Sequence, residues 1–75
     1  SLCGDVNEIK INEELKFVYP HQLKVSINSD IKVEIVNSYF RGSHYLIEAK
    51  FENQTFFFFF FFKMENGEVV CLKIK

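Results

Sequence analysis

The side chains best suited to nucleophilic or metal chemistry are two histidines and two cysteines: His21, His44, Cys3 and Cys71. A hydrolytic site needs a nucleophile, a base and a group that orients the base. Cys71 beside His44 would be the only thiol–imidazole pair that this sequence could offer. Cys71 lies in an apolar segment and is interpreted as a small core residue, since cysteine is among the most buried residue types. His44 follows a predicted turn on the polar face of a strand, which is typical of a solvated histidine.

The remaining titratable residues predict no metal site. Cys3 and Cys71 lie at opposite ends of the sequence and form no CxxC pair. We expect both thiols to be reduced, as in a cytosolic protein, and a disulfide between them would require the two ends of the chain to meet. The carboxylates are scattered, and the adjacent pair Glu13 and Glu14 is interpreted as part of a solvated loop.

Sequence motifs for nucleotide binding and hydrolysis are absent. The sequence contains no GxxxxGK[ST] phosphate loop, no GxGxxG, no GxSxG, no HExxH and no EF-hand loop. We therefore expect these residues to perform no catalysis and to bind no cofactor or metal. Tight ATP binding is not expected either, since both Gly-rich phosphate-binding motifs, GxxxxGK[ST] and GxGxxG, are missing.

The composition predicts one small globular domain. The chain has 75 residues and a net charge of −1, with 48% apolar and 25% charged residues. A single domain is expected over residues 1–75, with residues 1–3 as its edge or as a remnant of an expression vector. Nine Lys and Arg residues without clustering argue against a nucleic-acid partner. No signal peptide is expected, and the longest apolar run is too short for a transmembrane helix.

Apolar and polar residues alternate with a period of two, which predicts β-strands. Strands are predicted at 6–11, 15–19, 31–40, 44–51, 55–62 and 69–74, and residues 21–27 are predicted to be another short strand or a turn segment. A short helical turn at 12–16 is an alternative. Turns are predicted at 41–43, where Gly42 supplies a positive φ, at 52–54 and at 63–68. The pattern predicts an all-β protein, a small OB-fold-like barrel of about five or six antiparallel strands.

Seven consecutive phenylalanines, Phe56 to Phe62, form the most unusual feature of the sequence. The flanking polar residues Thr55 and Lys63 have odd numbers, so odd positions are predicted to point outward and even positions into the core. Phe57, Phe59 and Phe61 would then form an apolar patch that contacts a second copy or a neighbouring domain. The alternative is that another segment of the same chain covers them.

Five short motifs follow one another along the chain: Gly4-Asp5-Val6-Asn7, Tyr19-Pro20-His21-Gln22-Leu23, Phe40-Arg41-Gly42-Ser43-His44-Tyr45, Asn53-Gln54-Thr55-Phe56 and Gly67-Glu68-Val69-Val70. Together they resemble the TOBE (transport-associated OB) domain, the C-terminal domain of ATP-binding subunits of ABC importers. The order and spacing are similar over nearly the whole chain. Tyr19, His21 and Gln22 replace the Arg, Glu and Asp that the family carries, and the Phe run is more apolar than the family's strand.

The resemblance implies a C-terminal accessory and regulatory domain within an ABC importer. The ATPase motifs, with ATP and Mg, would lie in an upstream domain, on the cytoplasmic face of the membrane. The partners implied are the chain's own nucleotide-binding domain, a second ATPase subunit and, through the parent protein, the membrane subunits. An autonomous OB-type module that binds nucleic acid or a small anion is the alternative function.

Overall fold

The computed structural model describes residues 6–75, which form seven strands and one short 3-10 helix. The strands are β1 (Asn7–Ile11), β2 (Glu14–Val18), β3 (Leu23–Val25), β4 (Ile31–Phe40), β5 (Tyr45–Phe51), β6 (Gln54–Phe60) and β7 (Val69–Ile74), and the 3-10 helix is Pro20–Gln22. The predicted all-β fold is confirmed. The state of Cys3 and the Gly4-Asp5 part of the first motif lie outside the described residues.

Five of the strands form one antiparallel sheet in the order β3-β7-β4-β5-β6, which curls into a half-barrel. The hairpin β1–β2 forms a second, two-stranded sheet that packs against β6. The edge strand β3 and the 3-10 helix also contact β6, so the curl brings the two edges of the large sheet close together. Closure of this kind hides strand edges that would otherwise invite pairing with another chain.

Two tight turns explain how the hairpins form. Asn12 and Glu13 have φ values of 53° and 68°, and Glu52 and Asn53 have values of 47° and 66°. Positive φ at both central residues is the geometry of the two-residue hairpin loop that matches strand twist. The alternative of a helical turn at 12–16 is therefore wrong, whereas the turn at 52–54 is confirmed. Gly42 has a φ of 95°, as the prediction for its turn required.

A β-bulge at Val36 interrupts the alternation along β4, where the pairing with β5 shifts between Ile35 and Asn37. The segment between β6 and β7 is anchored at this irregularity. The Ser38 hydroxyl donates to the Met64 carbonyl over 2.7 Å, and the Asn66 side chain donates to the Val36 carbonyl over 2.9 Å. The extra residue re-aims the polar groups of β4 toward the loop that they hold.

The core lies on the concave face of the half-barrel, beneath the β1–β2 hairpin. Its buried members are Ile9, Val18, Leu23, Val33, Ile35, Ile47, Ala49, Phe51, Phe56, Phe58, Met64 and Leu72. Phe56 and Phe58 lie in it, as the even-numbered positions of the run predicted. Phe60 is half-buried against this cluster.

Two sequence predictions about the core are wrong. Phe62 was expected inside, but β6 ends at Phe60 and the Phe62 side chain is 71% exposed. Because the chain leaves the strand there, the alternation no longer decides which way the ring points. Cys71 was expected in the core, but it is a half-buried free thiol, and its neighbour Leu72 fills the core position on β7.

Candidate functional site

Phe57 and Phe59 follow the parity that the sequence predicted, whereas Phe61 lies beyond the end of β6, where the alternation no longer applies. Phe57 pairs with Glu48, and Phe59 pairs with Leu46, so these side chains share the convex face of the sheet. Phe57 and Phe59 are half-buried, and Phe61, just beyond the end of β6, is 77% exposed. Their role as an interface stays a prediction.

A small apolar cluster on the convex face explains why Phe57 and Phe59 are half-buried. Leu46 is only 3% exposed although it lies outside the core cluster. It pairs with Tyr39 on β4 and with Phe59 on β6, and the His44 ring meets the Phe59 ring edge-on at 4.8 Å. Neighbours in the same sheet thus partly cover these two rings and leave Phe61 open. We call Tyr39, His44, Leu46, Phe57 and Phe59 the outer cluster.

A hydrogen bond closes one side of the outer cluster. The Tyr39 hydroxyl donates to the Glu48 carboxylate over 2.7 Å. This hydrogen bond, with smaller contributions from desolvation and from the Glu48 charge, raises the pKa of Tyr39 above its usual value of 10.0. The neutral phenol is the form that can donate, so losing its proton removes the bond.

Glu48→Gln is expected to lower the pKa of Tyr39 toward that of a free tyrosine. The pKa of Tyr39 is raised in the folded state. The stability that this hydrogen bond contributes is therefore fully present below the ordinary tyrosine pKa and is lost as the pH rises through the raised pKa. Absorbance titration of the phenolates in wild type and variant measures the change, with Tyr39→Phe identifying the transition that belongs to Tyr39. Identical titration curves for wild type and Glu48→Gln would contradict the assignment.

The outer edge of β6 is closed by side-chain amides in place of a backbone ladder. The Asn7 side chain donates to the Phe57 carbonyl over 2.7 Å and accepts from the Phe57 N–H over 2.8 Å. Gln54 does the same for Lys10: it accepts from the backbone N–H over 2.6 Å and donates to the carbonyl over 3.0 Å. These two amides attach β1 to β6 and satisfy backbone groups that the curled sheet leaves unpaired.

Sequence reasoning missed both amides because they join residues far apart in the chain. A signal was present for Asn7, which has the same parity along β1 as Ile9 and Ile11. Asn7 is polar, lies at an inward-facing position and is only 7% exposed. Burying its side-chain amide without a hydrogen-bond partner would be unfavourable. Such a position predicts a hydrogen-bonded partner without naming it.

Four aromatic rings lie at the end of the sheet where β4 and β6 end and β5 begins. Phe40 lies 5.3 Å from Tyr45, ring centre to ring centre, and Phe60 lies 6.2 Å from Phe62. Tyr45 and Phe60 are paired across β5 and β6, so the rings run across the concave face. Phe40, Phe61 and Phe62 are exposed, which makes this end of the half-barrel strongly apolar. We call it the aromatic end.

An open groove of about 360 Å³ lies at the seam where β3 and the 3-10 helix approach β6. Its lining residues are His21, Leu23, Ser43, His44, Phe59, Phe60, Phe61 and Lys75. The His21 ring stacks on Tyr19 with 5.8 Å between ring centres, and the Ser43 hydroxyl oxygen lies 2.9 Å from Nδ1 of His44. The groove therefore combines aromatic walls with two imidazoles, an ammonium group and a hydroxyl.

Other chemistry suggested by the sequence is not assembled. Cys71 lies on β7, and His44 comes just before β5, with β4 between these strands in the sheet. Within residues 6–75, no three His, Cys, Asp or Glu side chains are grouped so that they could hold a metal ion. The same residues include no helix that is long and apolar enough to cross a membrane.

Comparison of the chain with protein-family profiles, with curated proteins and with solved structures finds no match. The family resemblance therefore depends on the five sequence motifs alone.

Proposed function

We propose that this chain is an accessory domain of the ATP-binding subunit of an ABC importer, similar to TOBE domains, which makes domain and subunit contacts and catalyses nothing itself. Its partners would be its own nucleotide-binding domain and a second subunit. The parent protein would sit on the cytoplasmic face of the membrane through the transporter complex.

The residues behind the resemblance support this proposal because they occupy positions that determine the backbone path. Pro20 opens the 3-10 helix, and its fixed φ suits the first helical position. Gly42 and Gly67 have φ values of 95° and 94°, and Asn53 has one of 66°. These conformations favour glycine and asparagine, so the motifs coincide with structural requirements of a small barrel.

The contact role depends on one observation, the exposed Phe61 beside the half-buried Phe57 and Phe59. Phe40 and Phe62 at the aromatic end are exposed as well, and exposed apolar side chains that lie together mark contact sites. Burying one phenylalanine is worth about 1.5–3 kcal/mol. A partner that covers Phe61 and its neighbours therefore gains binding energy from contacts that the chain does not make with itself.

Phe61→Thr is expected to weaken self-association of the isolated chain by at least about tenfold, since the loss of one ring contact exceeds the 1.4 kcal/mol that corresponds to that factor. Sedimentation velocity over a concentration series measures the change. Phe17→Thr is the matched control, because Phe17 is also exposed but lies on β2, outside the aromatic end. A wild-type chain that stays monomeric throughout, or equal effects of both variants, would contradict the contact role.

The transporter assignment has a separate test in the gene itself. The coding sequence upstream of Gly4 is expected to encode a phosphate-loop ATPase with a GxxxxGK[ST] motif. An unrelated upstream domain would reject the assignment while leaving the contact role of Phe61 unaffected.

A further inference from the structure

We propose that the groove binds a small anionic ligand that carries an aromatic ring, such as an aryl phosphate or an aryl carboxylate. This binding site goes beyond the proposed contact function and does not depend on the transporter assignment. Both the charge and the shape of the groove favour this class of ligand.

The polar groups of the groove select for negative charge. Its lining contains two imidazoles, the Lys75 ammonium and the Ser43 hydroxyl, and it contains no Asp or Glu side chain. The Ser43 hydroxyl engages Nδ1 of His44, and no other residue of the described chain bonds to this ring's Nε2. Lysine and imidazole donors without an opposing Asp or Glu side chain favour a phosphate or carboxylate oxygen, because hydrogen bonds to an ionised acceptor are the stronger ones.

The apolar part of the groove selects for a flat ring. Phe59, Phe60 and Phe61, at the end of β6, line the groove together with the buried Leu23. Aromatic rings prefer offset-stacked or edge-on partners, and the edge-on pair of His44 and Phe59 already shows this geometry. A volume of about 360 Å³ falls within the range of small-molecule sites, about 300–1,000 Å³.

Local hydrogen bonds hold the histidine side of the groove in place. The Gln22 side chain accepts from the Tyr19 N–H over 2.8 Å, and the Gln22 N–H donates to the Tyr19 carbonyl over 2.9 Å. The Lys75 N–H donates to the Gln22 carbonyl over 2.7 Å, which ties the end of β7 to the 3-10 helix. These contacts fix the backbone at Gln22 and Lys75, next to His21, before any ligand binds, so only the side chains have to be ordered on binding.

Titration of the full chain with phenyl phosphate and with phenylacetate tests the proposal, followed by NMR of the backbone amides and imidazole C–H groups. At least one compound is expected to bind about tenfold more tightly than either control compound. Inorganic phosphate supplies the negative charge without the ring, and benzyl alcohol supplies the ring without the charge. The shifts are expected at His21, His44 and Phe59. The two compounds distinguish a phosphate from a carboxylate ligand.

Lys75→Gln is expected to weaken this binding by roughly three- to tenfold because it replaces a charged donor with a neutral one, and His21→Ala is expected to weaken it similarly because it removes the imidazole donor. Lys32→Gln is the matched control, since it removes an equal charge from β4 outside the groove and is expected to leave the affinity unchanged. Unchanged amide spectra of the free variants show that they are folded. The proposal is overturned if benzyl alcohol binds as well as the anions, if the shifts map elsewhere, or if only single-stranded oligonucleotide binds.

Discussion

Phe58→Ala is expected to lower the free energy of unfolding by about 3–5 kcal/mol, whereas Phe61→Ala changes it by less than about 0.5 kcal/mol. The two residues are identical in type and three positions apart in one run of phenylalanines. The Phe58 ring is fully buried in the core, and the Phe61 ring is 77% exposed beyond the end of β6. The contrast therefore isolates burial from composition and from β propensity.

The size of the first effect follows from the space that Phe58 fills. Removing a buried ring loses its transfer free energy and leaves a cavity that the surrounding sheet closes only in part. A domain of this length has a total stability of about 4–11 kcal/mol, so the loss is a large fraction of it. Phe58→Ala is thus expected to unfold at a much lower urea concentration than the wild type, and to be largely unfolded without urea only if the stability lies near the lower end of this range.

Urea denaturation followed by circular dichroism measures both variants. Phe58→Leu keeps most of the side-chain volume and provides a folded variant for quantitative comparison if the alanine variant does not fold. Similar midpoints for Phe58→Ala and Phe61→Ala would contradict the assignment of even positions to the core. A strongly destabilised Phe61→Ala would show that its ring is covered by the same chain.

The strands in the second half of the chain were predicted well, because the alternation of apolar and polar residues and the positions of the turn residues agree there. β4 and β7 begin and end at the predicted residues, 31–40 and 69–74, and β5 and β6 differ from prediction by one or two residues. The bulge at Val36 coincides with the break in alternation. Gly42 and Asn53 mark turns whose positive φ few other residues adopt readily.

The less regular first third was harder to predict, for a physical reason. The turn at Asn12 and Glu13 has a left-handed backbone without a glycine, so its composition equally suits a helical turn. The site depends on contacts between segments distant in sequence. The groove joins the 3-10 helix, β3, the β4–β5 turn, β6 and the residue after β7, and no local pattern specifies that these five segments meet.

Asn7→Ala is expected to lower the free energy of unfolding by about 1–3 kcal/mol, because it leaves the Phe57 N–H and carbonyl without their partners at a half-buried position. Asn7→Asp is expected to be at least as disruptive, since a carboxylate cannot donate to the Phe57 carbonyl and meets it with negative charge. Glu8→Ala is the matched control on the exposed side of the same strand.

The Asn7 variants are expected to lose protection against hydrogen exchange at one backbone amide, the Phe57 N–H. Hydrogen exchange at the Phe57 N–H is expected to speed up far more than exchange at the Phe56 and Phe58 N–H groups, which the alternation of an antiparallel ladder directs toward β5. Detachment of the β1–β2 hairpin would also open the outer edge of a phenylalanine-rich strand, so the variants are expected to aggregate at lower concentrations than Glu8→Ala. Unchanged exchange at Phe57 in Asn7→Ala would show that β1 is held against β6 by apolar packing alone.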